Sequence, residues 1–412
     1  MIKRRTFLAN TAATLAAPAL AQAQTGPIRI GLLAPLTGVV AAGGKEMADD
    51  FTLFWNGVGN EVAGRKVEII TEDDGSNPDV ALQKARRLVE QAKVDMLFGD
   101  LLANTGLAVA NYVKGTGTPY FIPIIAADDL TQRARIPNVV RIAGYSASQT
   151  TRPLGDWALK QGYRRVAMIS QDYTFGHEQC GGFAQTFTEG GGTIVAQLWN
   201  PLNTADFSPY MGQLADLQLD AVFAMETGAD ATRLIQAYAS FGLKDSVPLI
   251  GSMNLTDQSV IRTLGDEALG IISPGHFAEG SDNPKVAAYV RLHQEKFGTI
   301  PSLYGFSMYS GAMWMYKALQ TNGGRSDPAS LLAAVAATDL DDSPLGTTVK
   351  LDSLGNPIYD VYIRKIVRNA QGKLWNVPIA EYPGVSQFWR YDPETYMKQP
   401  PYSRSFQGIK KS

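Results

Sequence analysis

The chain has 412 residues, of which 45% are hydrophobic and 18% are charged, a composition typical of a globular protein with enough material for two domains. Its formal net charge is −2, and no basic stripe favours nucleic acid as a partner. The three histidines are far apart, and neither a Gly-x-Ser-x-Gly motif nor a Gly-rich phosphate-binding loop is present. We therefore expect no catalytic nucleophile, no metal ion and no cofactor.

The first 23 residues have the layout of a removable signal peptide. A basic start that includes Arg4 and Arg5 is followed by an apolar run at 11–20 and by small residues up to Ala23. We expect cleavage after Ala23 and export to the periplasm. The paired arginines fit the twin-arginine route, and the general secretory route is the alternative. No later apolar run approaches the roughly 20 residues of a membrane span, so none is expected.

Short apolar strands alternate with amphipathic helices from residue 28 onwards. The first strand, 28–33, precedes a helix whose apolar side chains recur at helical spacing, and a second strand follows at 67–71. Asn77 and Pro78 supply an N-cap and a first-turn proline for the next helix. Such nearly continuous apolar strands are typical of a parallel sheet that is covered on both faces. Further strands of this series are predicted at 94–99, 120–125 and 139–142.

The alternation then restarts, which predicts a second doubly wound lobe. Its strands are predicted at 166–170, 194–196, 221–225 and 249–251. Its helices are predicted to begin near residues 148, 176, 208 and 229. Three more helices are predicted at 284–297, 304–320 and 328–337.

The last part of the chain no longer shows the alternation of strands and helices. Residues 347–351 and 359–367 flank a turn at 352–357, which predicts a β-hairpin near a hinge. From Val385 to the end the chain is rich in aromatic residues and lacks helical spacing. We expect this tail to pack along the surface.

The expected ligand site is a cleft between the two lobes. Ligands of open α/β sheets collect beyond the carboxyl ends of the strands, where loops and helix N-termini present free N–H groups. The loops expected to line the cleft are 36–44, 99–105, 126–130, 171–176, 226–229 and 252–257.

Four separated segments of the chain point to one protein family. They are IGLLAPLTG at 30–38, DDGSNP at 73–78, DYTFG at 172–176 and the hairpin at 347–360. In this order they resemble the leucine/isoleucine/valine-binding family of type I periplasmic substrate-binding proteins, which serve ABC importers. The resemblance extends from residue 28 to residue 377.

The resemblance implies an α/β fold with two Rossmann-like lobes that are joined by a three-crossover hinge. It also implies a monomer that binds a small molecule and presents its closed form to an inner-membrane ABC permease. The implied ranges are 28–143 plus 277–341 for lobe 1, 144–276 plus 342–384 for lobe 2, and 385–412 for a C-terminal extension.

The chain departs from the amino-acid binders of this family at the ligand's head group. Those proteins hold the carboxylate and the ammonium with hydroxyls and a glutamate, whereas this chain has Ala103, Ala126 and Met253 at those positions. An α-amino acid would lose its charged partners, and unpaired buried charges cost several kcal/mol. We therefore expect an aromatic or otherwise amphiphilic solute. Gly43 replaces an aromatic residue of some relatives, which predicts a roomier pocket.

Polar candidates for ligand contact lie in loops of both lobes. Thr37 and Gly38 provide either a tight turn or backbone N–H contacts to the ligand. Asn104 and Thr105 begin a helix, so they serve as caps, as ligand contacts, or as both.

Aromatic and acidic candidates lie mainly in lobe 2. Tyr173 and Phe175 form either walls over a ligand or packing within their own lobe. Glu226, which ends a strand beside Thr227, pairs with a ligand cation or with Arg233. The full set of expected ligand-binding residues is Thr37, Gly38, Asn104, Thr105, Ala126, Tyr173, Phe175, Glu226, Thr227, Met253 and Asn254, with Tyr304 and Phe306 as secondary candidates.

Three functions fit the sequence. The first is the binding component of an importer. The second is a sensory receptor protein, which the lack of a fused signalling segment disfavours. The third is an exported enzyme, for which no nucleophile or metal set is identifiable.

Overall fold

A computed structural model describes residues 26–410, so the predicted leader and its cleavage site lie outside the described part of the chain. This part folds into two β-sheets with helices packed on them. Within it, no helix is long and apolar enough to cross a membrane.

The strands are numbered in chain order. They are β1 (Ile28–Ala34), β2 (Glu61–Val62), β3 (Arg65–Asp73), β4 (Met96–Gly99), β5 (Tyr120–Phe121), β6 (Val139–Val140), β7 (Arg165–Gln171), β8 (Thr193–Asn200), β9 (Ala221–Met225), β10 (Leu249–Gly251), β11 (Ile272–Gly275), β12 (Lys350–Leu351), β13 (Pro357–Arg368) and β14 (Leu374–Val385).

The helices are numbered in the same way. They are α1 (Ala41–Gly57), α2 (Pro78–Arg86), α3 (Ala103–Thr116), α4 (Ala147–Lys160), α5 (Thr174–Glu189), α6 (Ser208–Ala215), α7 (Gly228–Ser240), α8 (Gln258–Ile261), α9 (Pro284–Phe297), α10 (Leu303–Thr321), α11 (Pro328–Ala337) and α12 (Pro393–Met397). A π-helical turn at Arg87–Gln91 continues α2.

The first sheet has the strand order β2, β3, β1, β4, β5, β6. Its strands are parallel except β2, which forms an antiparallel pair with β3. β1 is buried along almost its whole length, as expected for a strand between helical layers. At α2, Asn77 accepts hydrogen bonds from the backbone N–H groups of Asp79 and Val80, as the predicted N-cap requires.

The second sheet has the order β12, β13, β11, β10, β9, β7, β8, and β14 pairs with β13. β7 to β11 are parallel, whereas β13 is antiparallel to both β11 and β14. The predicted hairpin corresponds to β12 and β13. The sequence did not predict β14, which forms a second and longer hairpin with β13. β14 is an edge strand with two prolines, Pro378 and Pro383, and edge strands tolerate proline since one side makes no ladder hydrogen bonds.

The chain passes between the two sheets three times, between β6 and α4, between β11 and α9, and between α11 and β12. The first passage touches the turn between β12 and β13, since the Arg141 N–H donates to the carbonyl of Gly355 at 3.0 Å. After the second passage α9 returns to the first sheet's layer, where Tyr289 and His293 both hydrogen-bond to Asp50 of α1. The turn at 352–357 therefore lies beside the passages, where the hairpin was predicted.

The tail after β14 packs over α4 and α5. Tyr396 and Tyr402 of the tail are buried there. A Cβ on Gly181 of α5 would lie 2.3 Å from the Tyr402 ring, so only glycine allows this approach. The tail contains the short helix α12, which the sequence did not predict.

Candidate functional site

A narrow cavity lies between the two sheets. It has an empty volume of about 270 Å³, hardly any of which is wide enough for a water molecule, so the two lobes are closed around it. Its lining residues are Leu101, Ala103, Ile124, Ala126, Tyr145, Tyr173, Phe175, Thr227, Asn254 and Tyr304.

The parallel strands place most of this lining. Leu101 and Ala103 follow β4, Tyr173 follows β7, Thr227 follows β9 and Asn254 follows β10. The carboxyl ends of parallel strands are where ligands of such sheets bind. The cavity therefore lies at the edge that the sequence predicts.

Aromatic rings form much of the wall. The ring centroids of Tyr173 and Phe175 are 6.1 Å apart, and those of Tyr145 and Phe175 are 6.4 Å apart. Tyr304 reaches the cavity from the first turn of α10, on the opposite sheet. Such rings favour a flat apolar partner, because stacked and edge-on contacts with aromatic groups are favourable.

Asn254 is the polar centre of the cavity. Its Oδ1 accepts a hydrogen bond from the Tyr145 hydroxyl at 3.2 Å, and its Nδ2 donates to the Tyr304 hydroxyl at 3.1 Å. Burial raises the pKa of Tyr145 and of Tyr304, so both phenols are neutral and can donate. The polar contacts available to a ligand here are therefore neutral hydroxyl and amide groups.

No charged side chain is among the described residues that line this cavity. Glu226 lies behind it, where Asn200 Nδ2 donates to its Oε2 at 3.3 Å. Complete burial raises the pKa of Glu226 well above its usual range, which favours the neutral carboxyl. Arg233, the predicted alternative partner of Glu226, instead forms an ion pair with Asp230.

The structure brings together five of the eleven predicted site residues, namely Ala126, Tyr173, Phe175, Thr227 and Asn254. The other six do not line the cavity, namely Thr37, Gly38, Asn104, Thr105, Glu226 and Met253.

Local hydrogen bonds account for two of these displaced hydroxyls. Thr37 Oγ1, in the turn after β1, donates to Asp73 at the end of the neighbouring strand β3 at 2.8 Å, and Thr105 Oγ1 donates to the carbonyl of Leu102 at 2.6 Å. Short polar side chains compete for nearby backbone and turn groups in this way. Gly38, at φ +93°, lines a separate crevice at the cleft mouth with an empty volume of about 630 Å³.

Two predictions about pocket shape are corrected by the packing. A Cβ on Gly43 would lie 2.6 Å from the Tyr304 ring, so Tyr304 fills the space that Gly43 leaves and the pocket is not roomier. Met253 is fully buried, and its carbonyl accepts a hydrogen bond from Arg364 at 3.4 Å, away from the cavity. Phe306, a secondary candidate, stacks on Phe277 with ring centroids 4.0 Å apart.

Sequence reasoning missed Leu101, Ile124 and Tyr145 as lining residues. Tyr145 lies in the first passage between the sheets, just after β6, and this position next to the junction of the lobes was the available signal. Within residues 26–410, no cluster of three or more His, Cys, Asp or Glu side chains is arranged to hold a metal ion.

Comparison with known proteins defines the class of this fold and site. The model of the periplasmic binding protein family matches residues 27–373, and the chain belongs to this family. Leu/Ile/Val-binding protein homolog 6 from Brucella melitensis is 28% identical over 381 residues, which cover 91% of this chain and 96% of that relative.

Solved structures agree with this assignment. A solute-binding protein of an ABC transporter from Rhodopseudomonas palustris BisB5, in complex with 3,4-dihydroxybenzoic acid, is 28% identical with a TM-score of 0.83, covering 88% of this chain and 98% of that one. Another from R. palustris, in complex with benzoate, is 26% identical with a TM-score of 0.81, covering 88% and 98%. The predicted family, the two-lobed α/β fold and a substrate-binding role are thereby confirmed, and family membership supports a periplasmic location.

Proposed function

We propose that this protein binds an aromatic carboxylic acid related to benzoate in the interlobe cavity and delivers it to an inner-membrane ABC permease. One observation carries the proposal, which is the wall of four aromatic rings around a neutral polar centre at Asn254. The two R. palustris relatives were solved with ligands of this chemical class.

Backbone N–H groups can hold the carboxylate of such a ligand. Ala103 begins α3, and Thr227 directly precedes the start of α7, and both line the cavity. The first N–H groups of a helix have no intrahelical acceptor and carry partial positive charge, so they bind anions without a cationic side chain. The cavity therefore offers aromatic contacts for the ring of the ligand and N–H donors for its carboxylate.

An α-amino acid fits this cavity poorly. Its ammonium group needs an anionic partner, and no acidic side chain is among the described residues that line the cavity. A buried charge without a partner costs several kcal/mol. Leucine, isoleucine and valine are therefore expected to bind weakly at best.

Thermal unfolding of the purified mature protein with a panel of small acids tests the proposal. A ligand at about 100 times its dissociation constant adds about 2.7 kcal/mol to the free energy of unfolding, a readily measured rise in Tm. We expect benzoate, 4-hydroxybenzoate or 3,4-dihydroxybenzoate to raise Tm, whereas leucine has no effect. A rise with leucine and none with the aromatic acids would contradict the proposal.

The proposal extends to the domain organisation and the working state of the protein. Lobe 1 is 28–143 plus 277–341, lobe 2 is 144–276 plus 342–384, and residues 385–412 form the extension. The protein works as a monomer and releases its ligand chemically unchanged, which analysis of the ligand after incubation checks.

Export is proposed to remove the leader after Ala23, which mass spectrometry of periplasmic protein checks. Retention of Met1 would contradict it. The double substitution Arg4→Lys, Arg5→Lys separates the two routes, because it stops export only if the twin-arginine route is used.

A further inference from the structure

A row of contacts runs outward from the cavity between two chain segments of opposite lobes. On one side are residues 254–262, which follow β10 of the second sheet and include α8. On the other are residues 300–304, which lead into α10, packed along α1 of the first lobe. The row begins at the cavity with the hydrogen bond between Asn254 and Tyr304.

Asp257 caps helices of both lobes with one carboxylate. Its Oδ1 accepts the backbone N–H of Ser259 at 2.9 Å, which caps α8. Its Oδ2 accepts the backbone N–H of Leu303 at 2.7 Å, which is the first residue of α10. Asp257 is 3% exposed and does not line the cavity, so its contact with Leu303 serves the junction of the lobes.

Arg262 makes the next two contacts of the row. Its Nη1 forms an ion pair with Glu46 Oε1 of α1 at 2.6 Å, and its Nη2 donates to the carbonyl of Ile300 at 2.9 Å. Glu46 also accepts the backbone N–H of Ser302 at 2.9 Å, which fixes its carboxylate for Arg262. Glu46 is 7% exposed, so this pair is better shielded from water than an ordinary surface salt bridge.

We propose that Asp257 and Arg262, with Glu46 as the acceptor on the other lobe, form an interlobe latch that sets ligand affinity from outside the cavity. Opening of the cleft separates 254–262 from 300–304, so these charge-assisted hydrogen bonds exist only in the closed state. An interaction made in one state alone shifts the equilibrium toward that state. Ligand affinity then scales with the fraction of molecules that can close.

The inference rests on the proposed function only for the choice of 4-hydroxybenzoate as the probe. The key variant is Asp257→Asn, because the amide oxygen still caps α8 while the amide nitrogen no longer accepts from Leu303. The matched control is Asp327→Asn, since Asp327 caps α11 through Ser330 and contacts no other lobe. We expect calorimetry to show about tenfold weaker binding for Asp257→Asn, equivalent to about 1.4 kcal/mol, and unchanged binding for Asp327→Asn.

A second measurement reports closure without any ligand. Spin labels at Asn111→Cys on α3 and Gln236→Cys on α7, both exposed, give the interlobe distance distribution by pulsed electron resonance. We expect Asp257→Asn and Arg262→Gln to enlarge the long-distance population, and Arg262→Lys, which keeps the charge toward Glu46, to enlarge it less.

The outcomes separate the latch from the proposed ligand. If the unsubstituted protein does not bind 4-hydroxybenzoate, the proposed function is in error, and the distance distributions still decide on the latch. Distributions for Asp257→Asn and Arg262→Gln that match the unsubstituted protein would overturn it. If one of these variants does not fold, the other still tests the latch. Thermal unfolding shows which variants are folded.

Discussion

Tyrosine rings meet in two places in this molecule, and the two places differ in what stands between the rings. Under the tail the guanidinium of Arg152 lies 4.7 Å from the ring centroid of Tyr396, and its Nη2 donates to the Tyr396 hydroxyl at 2.6 Å. In the interlobe cavity the rings surround Asn254, and no charged side chain lines the wall among the described residues. A cation thus stands between the rings under the tail, whereas a neutral amide stands between the rings of the cavity.

The difference teaches how one type of side chain serves either stability or binding. A cation that lies over aromatic faces and donates to their hydroxyls joins the tail to α4. A group of rings with a neutral polar centre leaves apolar faces and hydrogen-bonding capacity for a ligand. Substitutions in the two groups of rings are therefore expected to affect different properties, stability under the tail and affinity in the cavity.

Arg152→Ala should lower the free energy of unfolding by about 4 kcal/mol, because it leaves a void and deprives buried acceptors of a donor. One of these acceptors is the carbonyl of Gln387, 2.5 Å from Arg152 Nη1. Urea denaturation measures the effect. Lys160→Ala, at an exposed position on the same helix, loses only a cation–π contact with Tyr382 and should change stability by less than about 1 kcal/mol. Equal effects of the two variants would refute a structural role for the tail cluster.

Charge beside the cavity is expected to depend on pH, unlike the permanent charge of Arg152. Burial raises the pKa of Asp74 to about 8, with repulsion from Asp100 adding to it, and burial raises the pKa of Asp100 to about 6. The folded state therefore keeps protons that the unfolded chain releases near pH 4, so stability falls as pH rises toward 8.

Stability should therefore fall by several kcal/mol through this pair between pH 4 and pH 8. Asp74→Asn imitates the protonated carboxyl and should flatten the dependence, as measured by urea denaturation at several pH values. An unchanged slope in Asp74→Asn would show that the pair does not share a proton.

Tyr173→Ala should weaken binding of the aromatic acid about 30-fold, or about 2 kcal/mol, because one wall of the cavity is lost. Calorimetry measures the change. Tyr391→Ala removes a tyrosine of the tail cluster and should leave the affinity unaltered. If Tyr173→Ala binds as tightly as the unsubstituted protein, the ring does not contact the ligand.

Gly181→Ala should destabilise the protein by about 1 kcal/mol, because the new methyl group meets the Tyr402 ring and displaces the tail. Gly212→Ala in α6 is the matched control, since its Cβ would meet nothing within 4 Å. Alanine there favours the helix and should stabilise the protein slightly. A similar stability gain in both variants would show that the tail packs loosely on α5.

The fold could be read from the sequence wherever local pattern and tertiary role agree. Buried strands such as β7 and β9 are continuous apolar runs, and Asn77 with Pro78 marks the start of α2. β14 was not predicted because its two prolines argue against a strand. They are tolerated only because β14 lies at the edge of the sheet, which the sequence does not show.

Only some of the site residues could be predicted from the sequence, for a physical reason. Position alone predicts Tyr173 and Thr227, because they follow strands at the ligand-binding edge of the sheet. The use of the Thr37 hydroxyl in a bond to Asp73 on another strand, and the arrival of Tyr304 from a distant helix, depend on three-dimensional packing. A linear pattern carries no information on either.

The central claim is that the cavity suits an aromatic acid and rejects an α-amino acid. Calorimetric titration of the mature protein with 4-hydroxybenzoate and with leucine, under identical conditions, tests it most directly. We expect a dissociation constant of about 1 μM for the aromatic acid and about 1 mM or weaker for leucine, a gap of about 4 kcal/mol. Low-micromolar leucine binding, with the aromatic acid silent, would contradict it.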